Sequence, residues 1–260
     1  MEIGLSSAVF YPKVETEHSI ELISSLGFSC AEIFLNSPME FEEDFIRLLR
    51  DKKDKYNLEI NSVHSFSSLY EPYLFDSYKR RRDDMLKYFT KVCVAAKLLG
   101  ARCYTFHGMR LNNIEAIDFK LIHDVYNTLT YIAGENGIKL AQENVSWCMS
   151  SNIEYLNRIE ENINYPLYYT FDIKQSYKAG IKPFEYLDIM GNKLINFHVN
   201  DRDDKHVCLM PGQGNVDLKA IFNKIKAQNY LGNVIIEVYG NNYKTYSELQ
   251  DAKKFLSKFI

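Results

Sequence analysis

Histidines and acids recur in this sequence directly behind short apolar runs. The plainest case is Leu194-Ile195-Asn196-Phe197-His198-Val199-Asn200-Asp201, followed by Asp204, His206 and the turn Pro211-Gly212-Gln213-Gly214. An apolar run favours burial as a strand, whereas His, Asp and Asn require a ligand or water. A strand ending this way crosses a core and delivers chemistry at its carboxy end. The same pattern marks Leu58–His64, Ala101–Phe106 before His107, Ile138–Ala141 before Gln142-Glu143-Asn144, and Leu167–Phe171 before Asp172. It also marks Asn233–Val238, with Glu237 near its end, and Cys30–Leu35, with Glu32 inside it.

If these ends converge, several acids share one mouth, where they repel and raise one another's pKa. A divalent cation removes that penalty. Glu143, Asp172, His198 and Glu237 would offer three oxygen donors and one nitrogen, a set suited to Mn²⁺, Mg²⁺ or Co²⁺, with Zn²⁺ admitted through the imidazole. His64 and His107 could join Glu143 in a second, nitrogen-rich and more zinc-like site, or donate hydrogen bonds to substrate hydroxyls, or merely fill a barrel. Asp204 and His206 stand equally as further metal ligands, as a hold on one end of a substrate, or as solvated loop residues. Pro-Gly-Gln-Gly is the turn that aims this loop back over the mouth. Lys174 reads first as an ordinary surface or ion-pair lysine and second as a contact for a phosphate or anionic substrate. Arg80-Arg81-Arg82 reads as a solvated first helical turn. A lone histidine among these is more simply a satisfied polar residue; the collective pattern makes the case.

The elements that must position these groups alternate from end to end. A first strand is expected over Ile3–Phe10 and a helix around Glu17–Leu26, closed by Gly27. Helices follow over Phe41–Tyr56 and from about Asp76 to Leu99, the latter with Met85, Phe89, Val92, Ala96 and Leu99 along one face. Further helices are expected through Ile117–Ile132, around Asn152–Glu161, near Phe184–Ile189, from about Asp217, and over Tyr246–Phe259. Strand–helix alternation gives a parallel sheet, and eight units in roughly 250 residues match one (β/α)₈ TIM barrel domain over residues 1–260. A doubly wound sheet is the rival, but no glycine-rich phosphate loop follows the first strand.

Composition narrows the classes. With 31 basic and 34 acidic residues the formal charge is −3. No overall basic excess advertises nucleic acid, although a local groove can be basic on an acidic protein. The five cysteines, Cys30, Cys93, Cys103, Cys148 and Cys208, are scattered without a C-x-x-C pair, which fits reduced thiols better than a disulfide framework. No signal-peptide pattern and no bilayer-length apolar run is visible. The expectation is a cytoplasmic protein with no membrane partner; a homo-oligomer is left open.

Taken together, these residues resemble the xylose-isomerase-like barrel superfamily, which groups sugar isomerases and epimerases, inosose-processing enzymes and endonuclease IV. The resemblance rests on Gly27-Phe28 with Glu32, Glu143, Asp172, His198-Val199-Asn200-Asp201, the Pro-Gly-Gln-Gly turn and Glu237. For the isomerases and epimerases it implies that Glu143, Asp172, His198 and Glu237 hold one divalent metal. Glu143 and Glu237 then flank a sugar or sugar-like polyol and exchange a proton next to its carbonyl, through an ene-diolate that the metal stabilises. The alternative it implies is a zinc-dependent phosphodiesterase at abasic DNA. His64, His107 and Glu143 match one ligand set of that family, and Asp204 with His206 resembles part of a third. Gln175 departs from it, standing where a histidine ligand is expected. A barrel that binds metal without catalysis is a third class, against which intact Glu143 and Glu237 argue.

Overall fold

The computed structural model describes residues 1–260, the side chain of Ser67 excepted. Eight parallel strands close in sequence order into a barrel: β1 Ile3–Ser6, β2 Cys30–Leu35, β3 Glu59–Ser65, β4 Cys103–Phe106, β5 Lys139–Glu143, β6 Tyr168–Asp172, β7 Leu194–Val199 and β8 Asn233–Ile236. Around it lie α1 Thr16–Ser25, α2 Glu43–Lys55, α3 Lys79–Leu99, α4 Phe119–Glu135, α5 Ile153–Ile159, α6 Ile173–Lys178, α7 Pro183–Met190, α8 Leu218–Ala227 and α9 Ser247–Leu256. This is a (β/α)₈ TIM barrel.

The expected first strand is too long: after Ser6 the chain turns into a 3-10 helix over Ser7–Phe10, capped by the Ser6 side chain. Apolarity alone does not separate a buried strand from a buried turn. Nor does the sequence pattern reveal α6, whose start is capped by Asp172 through its bond from Gln175 N. Gly100, in the left-handed region at φ 72°, ends α3.

The strands alternate in a way that fixes the site. Outward residues are aromatic or aliphatic and pack on the helices: Phe106 on Tyr126 of α4, Phe171 on Tyr186 of α7, Phe197 on Phe222 of α8. The apolar core therefore lies between sheet and helices. Inward residues are polar instead: Glu32, Ser62, Thr105 and Asn196 meet inside the barrel. Two irregularities set this phase. Ala31 and Glu32 pair with Ile60 and Ser62, so Asn61 is an extra residue; Tyr169 and Thr170 pair with Leu194 and Asn196, so Ile195 is another. Bulges of this kind re-aim the side chains beyond them, here His64 and His198.

A candidate metal and proton-transfer centre at the carboxy rim

Glu143 closes β5, Asp172 closes β6, His198 lies one residue before the end of β7, and Glu237 follows β8. One ligand atom from each falls within 4.8 Å of the other three. His198 Nδ1 is central, 3.2 Å from Glu143 Oε1, 3.2 Å from Glu237 Oε2 and 3.9 Å from Asp172 Oδ2. All four side chains are buried.

Their supports are largely amides. Asn144 donates to the Asp172 carbonyl (3.0 Å) and accepts from the Asp172 N–H (2.7 Å). Asn200 and the Gln175 N–H both donate to Asp172 Oδ1. Asp172 Oδ2 and Glu143 Oε2, by contrast, are enclosed and meet no amide, hydroxyl or backbone donor among the described residues; what faces them are ion-pair partners, Lys174 Nζ at 3.3 Å and His107 Nε2 at 2.8 Å. Buried polar atoms are nearly always satisfied. Enclosed carboxylate oxygens that face cations and imidazoles in place of neutral donors have the chemistry of a cation site, and the donor set fits a divalent metal.

The opposite side of the rim is built differently. Glu32 accepts from Ser62 (2.7 Å), Thr105 (3.1 Å), Asn196 (3.1 Å) and Ser6 (3.3 Å), and faces His198 Nε2 at 2.9 Å. It thereby orients the imidazole whose other nitrogen faces the acids. His64 Nε2 and His107 Nε2 are 2.7 Å apart, and His107 Nε2 is 2.8 Å from Glu143 Oε2. These three residues form a second group of candidate ligands, and Glu32, His64 and Glu237 a third. Beneath them lies Glu71, which the sequence reading passed over. It is wholly buried and accepts from the backbone N–H of His107 (2.8 Å) and Gly108 (3.0 Å) and from the Tyr104 hydroxyl. It sits in the short 3-10 helix Glu71–Phe75, where no strand end points to it.

Burial and mutual charge set the protonation. Burial acts to raise Glu143, but His107 and His198 outweigh it and hold the carboxyl at about 2. Asp172 is raised to about 6 by burial, opposed by Lys174 and reinforced by the Glu237 and Glu143 charges. Burial acts against the His64 cation, yet the Glu237 and Glu32 carboxylates, each with an oxygen 3.6 Å from Nδ1, lift it to about 10. Burial likewise opposes the Lys174 ammonium, but Asp172 and Glu237 hold its pKa well above the ordinary lysine range. Lys174 is thus the ion-pair lysine of the first expectation, with Nζ 3.3 Å from each of those acids.

Asp204 and His206 do not join the cluster. The Asp204 side chain is 95% exposed beside Arg202, and exposed His206 is bound to Asp203, 2.9 Å from its Oδ1. Gln175 Oε1 accepts from Ser146 N (3.0 Å). The turn beyond them is held by Asp201, whose carboxylate accepts from the N–H groups of Arg202, Gly212, Gly214 and Val216. A side chain at Gly214 would strike Asp201 Oδ1 and the Arg202 carbonyl, and Gly212 stands at φ 91°, which explains both glycines.

Above the cluster opens a cavity of about 300 Å³. Glu143, Glu237, His64, His107 and Lys174 reach it from below, and Phe34, Trp147 and Tyr239 form aromatic walls. Among the described residues no helix is long and apolar enough to cross a membrane.

A family model described as Xylose isomerase-like TIM barrel matches residues 20–259. No curated protein matches the chain. Among solved structures, a D-tagatose 3-epimerase-like protein superposes with TM-score 0.83 at 23% identity, covering 100% of this chain and 97% of its own. A 3-keto-D-glucoside 4-epimerase from E. coli gives 0.79 at 18%, with 99% of each chain covered. The IOLI protein, solved with a bound zinc atom, gives 0.76 at 17%, covering 100% of this chain and 96% of its own. At these identities the likeness is one of fold.

Proposed function

The chain belongs to the xylose isomerase-like TIM barrel family, and on that premise we propose that it is a metal-dependent isomerase or epimerase of a sugar or sugar-like polyol. One observation carries this reading. Glu143 and Glu237 enter the same cavity from non-adjacent strands, with His198 Nδ1 3.2 Å from an oxygen of each. A small polyol seated between them has a carboxylate on either side. One removes the proton from the carbon next to the carbonyl, and the other returns a proton. The solved relatives named for tagatose and keto-glucoside epimerisation lend the substrate class.

Glu143, Asp172, His198 and Glu237 would hold the metal. When bound, it supplies a Lewis acid that polarises the carbonyl and adjacent hydroxyl oxygens. The chain's own residues do the rest. Glu143, held ionised by the neighbouring imidazoles, is available as a base. His64 and His107 offer nitrogens to substrate hydroxyls, and Phe34, Trp147 and Tyr239 cover apolar ring faces and exclude water. A cavity of about 300 Å³ is at the small end for ligand sites, which suits a monosaccharide. The phosphodiesterase alternative draws less support, because Asp204, His206 and Gln175 do not assemble a third ligand set.

The test is metal analysis of the purified protein together with a screen of ketoses and inososes for solvent-deuterium incorporation. Wash-in at the carbon next to the carbonyl that depends on a bound divalent metal supports the reading. A metal-loaded protein that exchanges no proton on any of them overturns it.

A further inference from the structure

Among the described residues, Lys174 is the lysine whose ammonium reaches two of the four candidate metal donors. It starts from the first turn of α6, two residues after Asp172, and is buried. Its Nζ stands 3.3 Å from Asp172 Oδ2 and 3.3 Å from Glu237 Oε2, with the Tyr239 ring 4.8 Å away on its other flank. Asp172 Oδ2 is enclosed, and Glu237 Oε2 is the oxygen that faces His198. The ammonium and a divalent cation would therefore draw on the same two oxygens.

We propose that Lys174 is a tethered cation that competes with the divalent metal and sets how tightly the site holds it. The physical reason is direct. A fixed positive charge sharing carboxylates with a doubly charged ion repels that ion across a few ångströms of water-poor interior, where screening is weak. The same charge keeps Asp172 and Glu237 together when they would otherwise repel. Lys174 thus preserves the donor geometry while lowering affinity, and the ion is held exchangeably. Lys174 is also one of the residues that line the cavity.

The inference rests on the metal-centre reading above. The experiment is titration of the metal-stripped full chain with Mn²⁺ alone and Zn²⁺ alone, followed by calorimetry. The wild type is compared with Lys174→Gln, which keeps a donor but removes the charge, and with Lys174→Arg, which keeps the charge. Lys174→Gln is expected to bind about tenfold tighter or more, and Lys174→Arg to stay within about threefold of the wild type. Lys174→Met repeats the neutral substitution should the glutamine variant not fold. If neutral variants bind equally or more weakly while the wild type binds well, the competition is wrong and the metal centre stands. If neither wild type nor neutral variant binds either ion, both fall.

Discussion

On the β2–β4 side of the rim a buried acid is completed by the chain itself: Glu32 accepts from four side chains and faces an imidazole, and Glu71 accepts from two backbone N–H groups and a phenol. On the β5–β8 side, Glu143 and Asp172 are just as buried, but each has one enclosed oxygen that meets no neutral donor and faces an ion-pair partner, His107 and Lys174 respectively. Burial alone therefore does not mark a working carboxylate. The first two acids fix the shape of the rim; the other two are the ones on which the proposed cation would draw.

The sharpest way to break this contrast is Glu143→Gln. It should lower proton exchange at the substrate's alpha carbon by about 10²–10⁴-fold with the barrel still folded; deuterium wash-in measures it, and an unchanged rate rejects the base. Next in size is the cation itself. At a concentration of about 100 times Kd, Mn²⁺ should add ~2.7 kcal/mol of stability, read as a rise of several degrees in Tm. Asp172→Asn should erase that rise and Glu71→Gln should keep it; the reverse pattern would dissolve the distinction between the two sides. Glu32→Gln should weaken Mn²⁺ binding by about 10–100-fold, as loss of a carboxylate behind a ligating imidazole does, while leaving the four donors in place. The smallest effect belongs to Glu71→Gln, about 1–3 kcal/mol in urea unfolding, with Mn²⁺ affinity within about threefold of wild type.

The barrel and the meeting of Glu143, Asp172, His198 and Glu237 at one rim could be read in advance because each of the four sits at or near the end of an apolar run whose fate as a buried strand follows from its composition. His198 after Leu194–Phe197 and Asp172 after Leu167–Phe171 carry their direction with them. Glu71 could not be read, since it stands in a turn before Pro72 and its partners Tyr104, His107 and Gly108 lie more than thirty residues away. The expected first strand overruns for a related reason: Val9 and Phe10 are buried like strand residues although they lie in a 3-10 helix. For Asp204 and His206 the sequence left three fates open, because a loop has no period to say which way a side chain turns. Asn61 and Ile195, the extra residues that turn His64 and His198 inward, are ordinary within their strands; only pairing with the neighbouring strand reveals them.

The Asp201 carboxylate gathers the N–H groups of Arg202, Gly212, Gly214 and Val216 on one side chain. Both ends of the intervening stretch are thereby stapled at one point, and the segment carrying Asp204 and His206 projects beyond the staple into solvent. Lineages diverging from this scaffold can lengthen or rewrite that projection at little cost to the barrel, and a protein engineer seeking a new selectivity has there a natural splice site.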